Sequence, residues 1–163
     1  PRLRARFCQS IWMQEQSVLL ADLAATKGLG RELALNWLVL PDPKPILLLE
    51  GVLGAGKTSL VKGIAQGLEI DEPITSPTFS LSQHYRGLLG SLAHLDLYRL
   101  ELPSLADELF CQEEEEARAI GAFLAVEWPG RLGFRPEDSW VLHLELFDPD
   151  NPDAGRIASI ECN

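Results

Sequence analysis

One stretch of the sequence decides the fold: Ile46-Leu47-Leu48-Leu49-Glu50-Gly51-Val52-Leu53-Gly54-Ala55-Gly56-Lys57-Thr58. Its first four residues are apolar without alternation, which is typical of a strand buried on both faces of a sheet. The remainder matches G-x-x-x-x-G-K-S/T, the pattern of a phosphate-binding loop. Behind the loop, apolar residues recur at helical spacing from Thr58 to Leu68. A buried strand, a glycine-rich loop and an amphipathic helix in this order predict an α/β nucleotide-binding domain.

Each residue type in the loop suits contact with phosphate groups. Glycines allow positive φ and let backbone N–H groups turn inward. Lys57 supplies positive charge for the β- and γ-phosphates of ATP, and the hydroxyl of Thr58 is a ligand for Mg²⁺. The predicted cofactors are therefore ATP or ADP and Mg²⁺. The predicted nucleotide-binding residues of the loop are Gly51, Val52, Leu53, Gly54, Ala55, Gly56, Lys57, Thr58 and Ser59.

The rest of the chain predicts the sheet and helices around this loop. Strands are expected over 18–20, 78–85, 92–97, 122–126, 141–147 and 156–161, and helices over 22–38 and 104–119. Strand and helix alternate early and antiparallel strands come late. We therefore predict an α/β fold with a P-loop NTPase-like mixed β-sheet flanked by helices, with antiparallel hairpins.

The expected organisation is a single P-loop ATPase domain over residues 17–163, preceded by a non-core N-terminal extension over residues 1–16. Residues 1–12 contain three arginines and no apolar periodicity. This composition fits either a start placed upstream of Met13 or a genuine basic tail.

Two carboxylates are candidates for the metal that P-loop enzymes use. Asp96 lies on the expected strand 92–97, where it shares one face with His94 and Tyr98. Glu127 follows the expected strand 122–126, at the strand end where open α/β sheets place ligand-binding residues. Spacing alone does not rank the two. The run of glutamates at 113–116 is expected to be a solvated helix face.

Composition limits the location and the partners. The net charge is −10, and an acidic surface repels the phosphate backbone of nucleic acids. No apolar run approaches the roughly 20 residues of a membrane-spanning helix, and no signal-peptide pattern follows the first arginines, so we expect a cytoplasmic protein. Cys8, Cys111 and Cys162 form no CxxC pair, so reduced thiols are expected rather than a zinc site or a disulfide framework.

Four motifs in order make the chain resemble the TsaE (YjeE) family: the glycine loop, Ser76-Pro77-Thr78-Phe79, His94-Leu95-Asp96-Leu97-Tyr98-Arg99-Leu100 and Glu127-Trp128-Pro129. The resemblance runs from Leu19 to Glu161. Members of this family are bacterial ATPases needed to make threonylcarbamoyladenosine (t6A) in tRNA. One departure is Val52, at a position where the family usually has Asp. We expect no effect of Val52 on phosphate binding, although a partner contact could differ.

The resemblance implies the remaining roles. Asp96 and Glu127 would complete the metal and catalytic site together with Thr58, and Thr78 would belong to a mobile switch segment that senses the γ-phosphate. The implied partners are TsaD and TsaB, as the TsaD–TsaB heterodimer. They would hold the tRNA, while this chain hydrolyses ATP to ADP and phosphate, slowly without them. Two alternatives remain: a small-molecule P-loop kinase, for which we find no Arg-rich lid, and a non-catalytic nucleotide-sensing adaptor.

Overall fold

A mixed seven-stranded sheet forms the centre of the molecule. The structure, a computed structural model, describes residues 17–162, so the predicted extension 1–16 lies outside the described residues. The strands are β1 (Ser17–Leu20), β2 (Ile46–Glu50), β3 (Ser82–Arg86), β4 (Ser91–Asp96), β5 (Phe123–Glu127), β6 (Ser139–Leu146) and β7 (Arg156–Cys162). Their order across the sheet is β1-β7-β6-β2-β5-β4-β3.

The central strands β6, β2, β5 and β4 run parallel to one another. At the two sides of the sheet, β3 pairs antiparallel with β4, β7 with β6 and β1 with β7. The parallel centre explains the apolar run of β2, because both faces of that strand are covered. The predicted α/β fold with a mixed sheet and antiparallel hairpins is confirmed.

Three helices cover the two faces of the sheet. Helices α1 (Leu23–Leu38) and α2 (Lys57–Gly67) pack on one face, and α3 (Pro103–Ile120) packs on the other. Gly30 lowers the intrinsic helix propensity of α1, yet a Cβ at this position would lie 2.1 Å from the backbone oxygen of Leu60. This glycine therefore lets α1 lie close against α2. No helix in residues 17–162 is long and apolar enough to cross a membrane.

The parallel strands bring the predicted site residues to one edge of the sheet. Strands β4 and β5 end with Asp96 and Glu127, and these two residues are directly paired in the register of the strands. Strand β2 ends beside them, with Leu49 paired to Glu127, and leads straight into the glycine loop. Since the carboxyl ends of parallel strands share one edge, the loop and both carboxylates meet there.

The strand predicted from residue 78 begins only at Ser82. Residues 77–81 form a turn, closed by a hydrogen bond from the backbone N of Leu81 to the oxygen of Pro77 (2.6 Å). The reason is the length of the neighbouring strand: β4 ends at Asp96, so the segment before Ser82 has no strand to pair with. This turn keeps Thr78 at the edge of the sheet where the carboxylates lie.

Two expectations about individual side chains are wrong. Glu113 is not solvated: it is 6% exposed and pairs with His84 (2.5 Å between Oε2 and Nε2), because α3 turns this position toward β3. Cys111 is a free, exposed thiol, as expected, but Cys162 is disulfide-bonded. Spacing along the chain could not anticipate this bond, since a disulfide depends on Cα separation in space.

Candidate active site

The glycine loop is shaped to present backbone N–H groups. Gly54 and Gly56 have φ values of 79° and 103°, a region that residues with a Cβ rarely adopt. Gly56 is also the N-cap of α2 and gives that helix no side-chain cap. At the start of α1, in contrast, Asp22 accepts a hydrogen bond from the backbone N of Ala25 (2.8 Å). The first N–H groups of α2 are therefore available to an anion.

Lys57 lies inside the loop that precedes it. Its Nζ donates hydrogen bonds to the backbone oxygens of Gly51 (2.6 Å) and Val52 (2.9 Å), and it lies 4.4 Å from the ring centroid of Trp128. Burial lowers the pKa of Lys57 below its ordinary value of 10.5, while the charges of Glu127 and Asp96 oppose that shift. The ammonium is thus held by the neutral carbonyls of its own loop.

Asp96 is buried and joins the turn over residues 77–81 to the sheet. Its Oδ2 accepts a hydrogen bond from the hydroxyl of Thr78 (3.1 Å), which is itself 2.7 Å from the hydroxyl of Ser76. Its Oδ1 accepts from the backbone N of Tyr98 (2.9 Å). These contacts place both hydroxyls of the Ser76–Phe79 motif beside a carboxylate at the end of β4.

Glu127 is also buried, and its partner is a histidine. Its Oε2 lies 2.9 Å from Nε2 of His94, whose side chain is completely buried. The next residue, Trp128, has the left-handed backbone conformation (φ 59°, ψ 49°), which is uncommon for a large residue; such conformations cluster at functional sites. This conformation places the indole over Lys57 and 4.8 Å from the ring of Tyr98.

A cavity of about 620 Å³ opens at this edge of the sheet, within the range of small-molecule sites, roughly 300–1,000 Å³. Nine predicted site residues line it: Leu53, Gly54, Gly56, Lys57, Thr58, Ser59, Thr78, Asp96 and Glu127. Three others do not line it. Ala55 is fully buried, Val52 points outward with 60% exposure, and the backbone oxygen of Gly51 is occupied by Lys57.

One wall of the cavity consists of residues that were not predicted from the sequence. Arg156, at the start of β7, donates hydrogen bonds from Nε to the oxygen of Ala55 and from a terminal nitrogen to the oxygen of Gly54 (3.0 Å each). Its other contacts are the backbone oxygens of Pro152 and Gly155. Arg156 therefore stabilises the glycine loop, although the two are about a hundred residues apart along the chain. The remaining residues of this wall are Ala21, Asp22, Leu23, Thr26, Pro152, Asp153 and Gly155.

The residues present fit a magnesium nucleotide. Mg²⁺ prefers oxygen ligands such as carboxylates and hydroxyls, and the cavity offers these on Thr58, Asp96 and Glu127. A polyphosphate needs backbone N–H donors and a cation, and the loop with Lys57 supplies both. A Cβ on Gly51 would lie 2.6 Å from the backbone oxygen of Leu144, so the loop backbone is seated close against β6.

Comparison with known proteins agrees with this geometry. The model of the family described as threonylcarbamoyl adenosine biosynthesis protein TsaE matches residues 20–152. Two proteins named tRNA threonylcarbamoyladenosine biosynthesis protein TsaE are similar to the chain. The one from Nostoc sp. is 41% identical over 91% of this chain and 89% of its own length, and the one from Synechocystis sp. is 46% identical over 74% and 75%.

A solved structure gives the same result for the fold. The crystal structure of Bacillus subtilis YdiB matches with a TM-score of 0.63 and 24% identity, covering 90% of this chain and 85% of that one. At this identity the match concerns the fold alone. The family match and the identities of the relatives together establish the assignment: the chain belongs to the TsaE family.

Proposed function

We propose that this protein is a cytoplasmic ATPase that supports t6A formation in tRNA together with the TsaD–TsaB heterodimer. The observation that carries the proposal is the meeting of four groups at one cavity: the glycine loop, Lys57, the hydroxyl of Thr58 and the paired carboxylates Asp96 and Glu127. Binding alone would need the loop and the lysine. Hydrolysis also needs groups that bind the metal and orient water, and the two buried carboxylates at adjacent strand ends can do both.

The proposed binding step begins with Lys57. Its ammonium would transfer its hydrogen bonds from the carbonyls of Gly51 and Val52 to phosphate oxygens, which are charged and therefore stronger acceptors. The free N–H groups at the start of α2 would bind the same phosphates. Thr58 and Asp96 would hold Mg²⁺, which when bound neutralises charge on the β- and γ-phosphates.

The proposed chemical step rests on Glu127. Its carboxylate lines the cavity at the end of β5, where it can accept a hydrogen bond from the attacking water and orient it toward the γ-phosphate. Thr78, which donates to Asp96, would report the presence of the γ-phosphate to the turn over residues 77–81. The relatives' names support the t6A pathway as the setting. The net charge of −10 favours tRNA that is held by the partners.

The test is steady-state phosphate release with and without the TsaD–TsaB pair, alongside calorimetric titration with Mg-ADP. We expect Glu127→Gln to bind within about tenfold of the wild type, because the amide keeps the shape of the carboxylate. Turnover should fall by about a hundredfold or more, as for loss of one preorganised catalytic group. Asp96→Asn should instead weaken the Mg²⁺ dependence and the nucleotide affinity together.

A matched control is Glu113→Gln. Glu113 is also a buried carboxylate paired with a histidine, but it does not line the cavity. This variant should keep wild-type turnover. If the wild-type protein releases no phosphate above background even with TsaD–TsaB, yet binds Mg-ATP, the nucleotide-sensing adaptor replaces the ATPase. If the γ-phosphate appears on an added small-molecule acceptor, the protein is a kinase.

A further inference from the structure

His94 is a buried polar side chain that contacts the site through Glu127, and the proposed function gives it no role. It lies on β4, two residues before Asp96, and its side chain has no exposed surface. Its neighbours on the strand, Ala93 and Leu95, are apolar and buried. Burying a polar ring costs free energy unless the ring is hydrogen-bonded. The imidazole therefore requires an explanation other than packing.

The two ring nitrogens of His94 have opposite environments. Nε2 lies 2.9 Å from Oε2 of Glu127. Nδ1 is buried without a hydrogen-bond partner, alone in this respect among the side-chain nitrogens and oxygens of residues 17–162. A proton on Nδ1 would be buried with no acceptor, and burial of an unpaired donor is costly. The ring proton therefore belongs on Nε2, where the carboxylate of Glu127 accepts it.

We propose that His94 is a positioning residue for Glu127. Its Nε2–H fixes one carboxylate oxygen and so sets the rotation of the side chain, which leaves the other oxygen for the cavity that Glu127 lines. The strand register supports this arrangement, because pairing of Asp96 with Glu127 places His94 and Glu127 as diagonal neighbours on adjacent strands. Histidine also suits a positioning role because its rigid ring delivers the donor from a fully buried position. The inference rests on the proposed ATPase function.

The first test compares two variants of His94. His94→Phe keeps the ring and removes the donor, whereas His94→Gln keeps an N–H donor. We expect kcat with TsaD–TsaB to fall about ten- to a hundredfold in His94→Phe, since a misplaced catalytic group costs in this range, while KM for ATP and Mg-ADP affinity change by less than about threefold. His94→Gln should recover part of kcat. The matched control is His84→Phe, which removes the histidine partner of the buried Glu113, outside the cavity.

The second test is a double-mutant cycle with Glu127→Gln. If His94 acts through the carboxylate of Glu127, His94→Phe should lower kcat less than about twofold further in the Glu127→Gln background. Equal losses in both backgrounds would overturn the inference and leave His94 with a general structural role. If the wild type hydrolyses ATP and a folded His94→Phe protein has the same kcat, the inference is overturned too, while the ATPase proposal remains intact.

A third readout needs neither turnover nor a variant. Imidazole ¹⁵N spectra of the wild-type protein should show His94 with a protonated Nε2 and an unprotonated Nδ1. A proton on Nδ1 would overturn the inference even if His94→Phe does not fold. If the spectra give the expected tautomer but the wild type hydrolyses no ATP, the hydrogen bond stands and it is the proposed function that fails.

Discussion

Replacing Lys57 with methionine should weaken Mg-ADP binding by a calculable factor. Methionine keeps an unbranched side chain beside Trp128 and removes only the charge and the donors. In the structure the ammonium already has two hydrogen bonds, to the oxygens of Gly51 and Val52. The contribution of Lys57 to the free energy of nucleotide binding is therefore a difference: its hydrogen bonds to phosphate replace hydrogen bonds that it already makes to carbonyl oxygens. A hydrogen bond to a charged group contributes about 1.5–3 kcal/mol in total, so the loss in affinity has an upper bound of roughly 10- to 150-fold in Kd.

The assay is isothermal titration of Mg-ADP into wild type, Lys57→Met and Lys62→Met. Lys62 lies on the same helix and is exposed, so its variant measures the general effect of losing one positive charge on this helix. The free energy of unfolding of Lys57→Met should change little, because loss of the loop hydrogen bonds is offset by removal of a buried charge. A folded Lys57→Met protein with affinity within about threefold of Lys62→Met would refute the reasoning and the assignment of the loop.

Three further outcomes are expected. Because burial lowers the pKa of Lys57 and the ammonium is the form that binds phosphate, Mg-ADP affinity should fall as the pH rises through that lowered pKa, while an exposed lysine is still charged. Between that lowered pKa and the ordinary value of 10.5, the unfolded chain binds more protons at this lysine than the folded chain does, so the free energy of unfolding should rise with pH. Titrations and denaturant melts at several pH values measure both quantities. Thr78→Val removes the donor to Asp96 and should speed amide exchange at residues 79–81 about fivefold, for one partly exposed hydrogen bond of roughly 1 kcal/mol; unchanged exchange would contradict a tethered turn. The purified protein, with its net charge of −10, should bind tRNA weakly at physiological salt, and submicromolar, salt-sensitive binding in a filter assay would contradict this.

The sequence by itself determined the local unit at the centre of the protein. Strand β2, the loop and helix α2 follow one another directly in the chain. The signals that predict them are local, because they consist of the apolar periodicity, the glycines and Lys57 of this one stretch. The unbroken apolar runs of β2 and β5 likewise predicted strands that are buried on both faces. The expected strand 92–97 made Asp96 a candidate and the end of the strand before Glu127 made Glu127 one, although spacing could not say that the two pair in register.

Only the tertiary structure decided which distant groups meet. Arg156 reaches the oxygens of Gly54 and Ala55 because β7 folds back beside β6, and no local pattern marks an arginine at the start of a strand as a brace for a loop. The contact between His94 and Glu127 likewise depends on the register of β4 against β5. Hydrophobic periodicity specifies which face of an element is buried, and it carries no information on which polar groups then share an edge. That information arises from strand order and register, which are set by the packing of the whole chain.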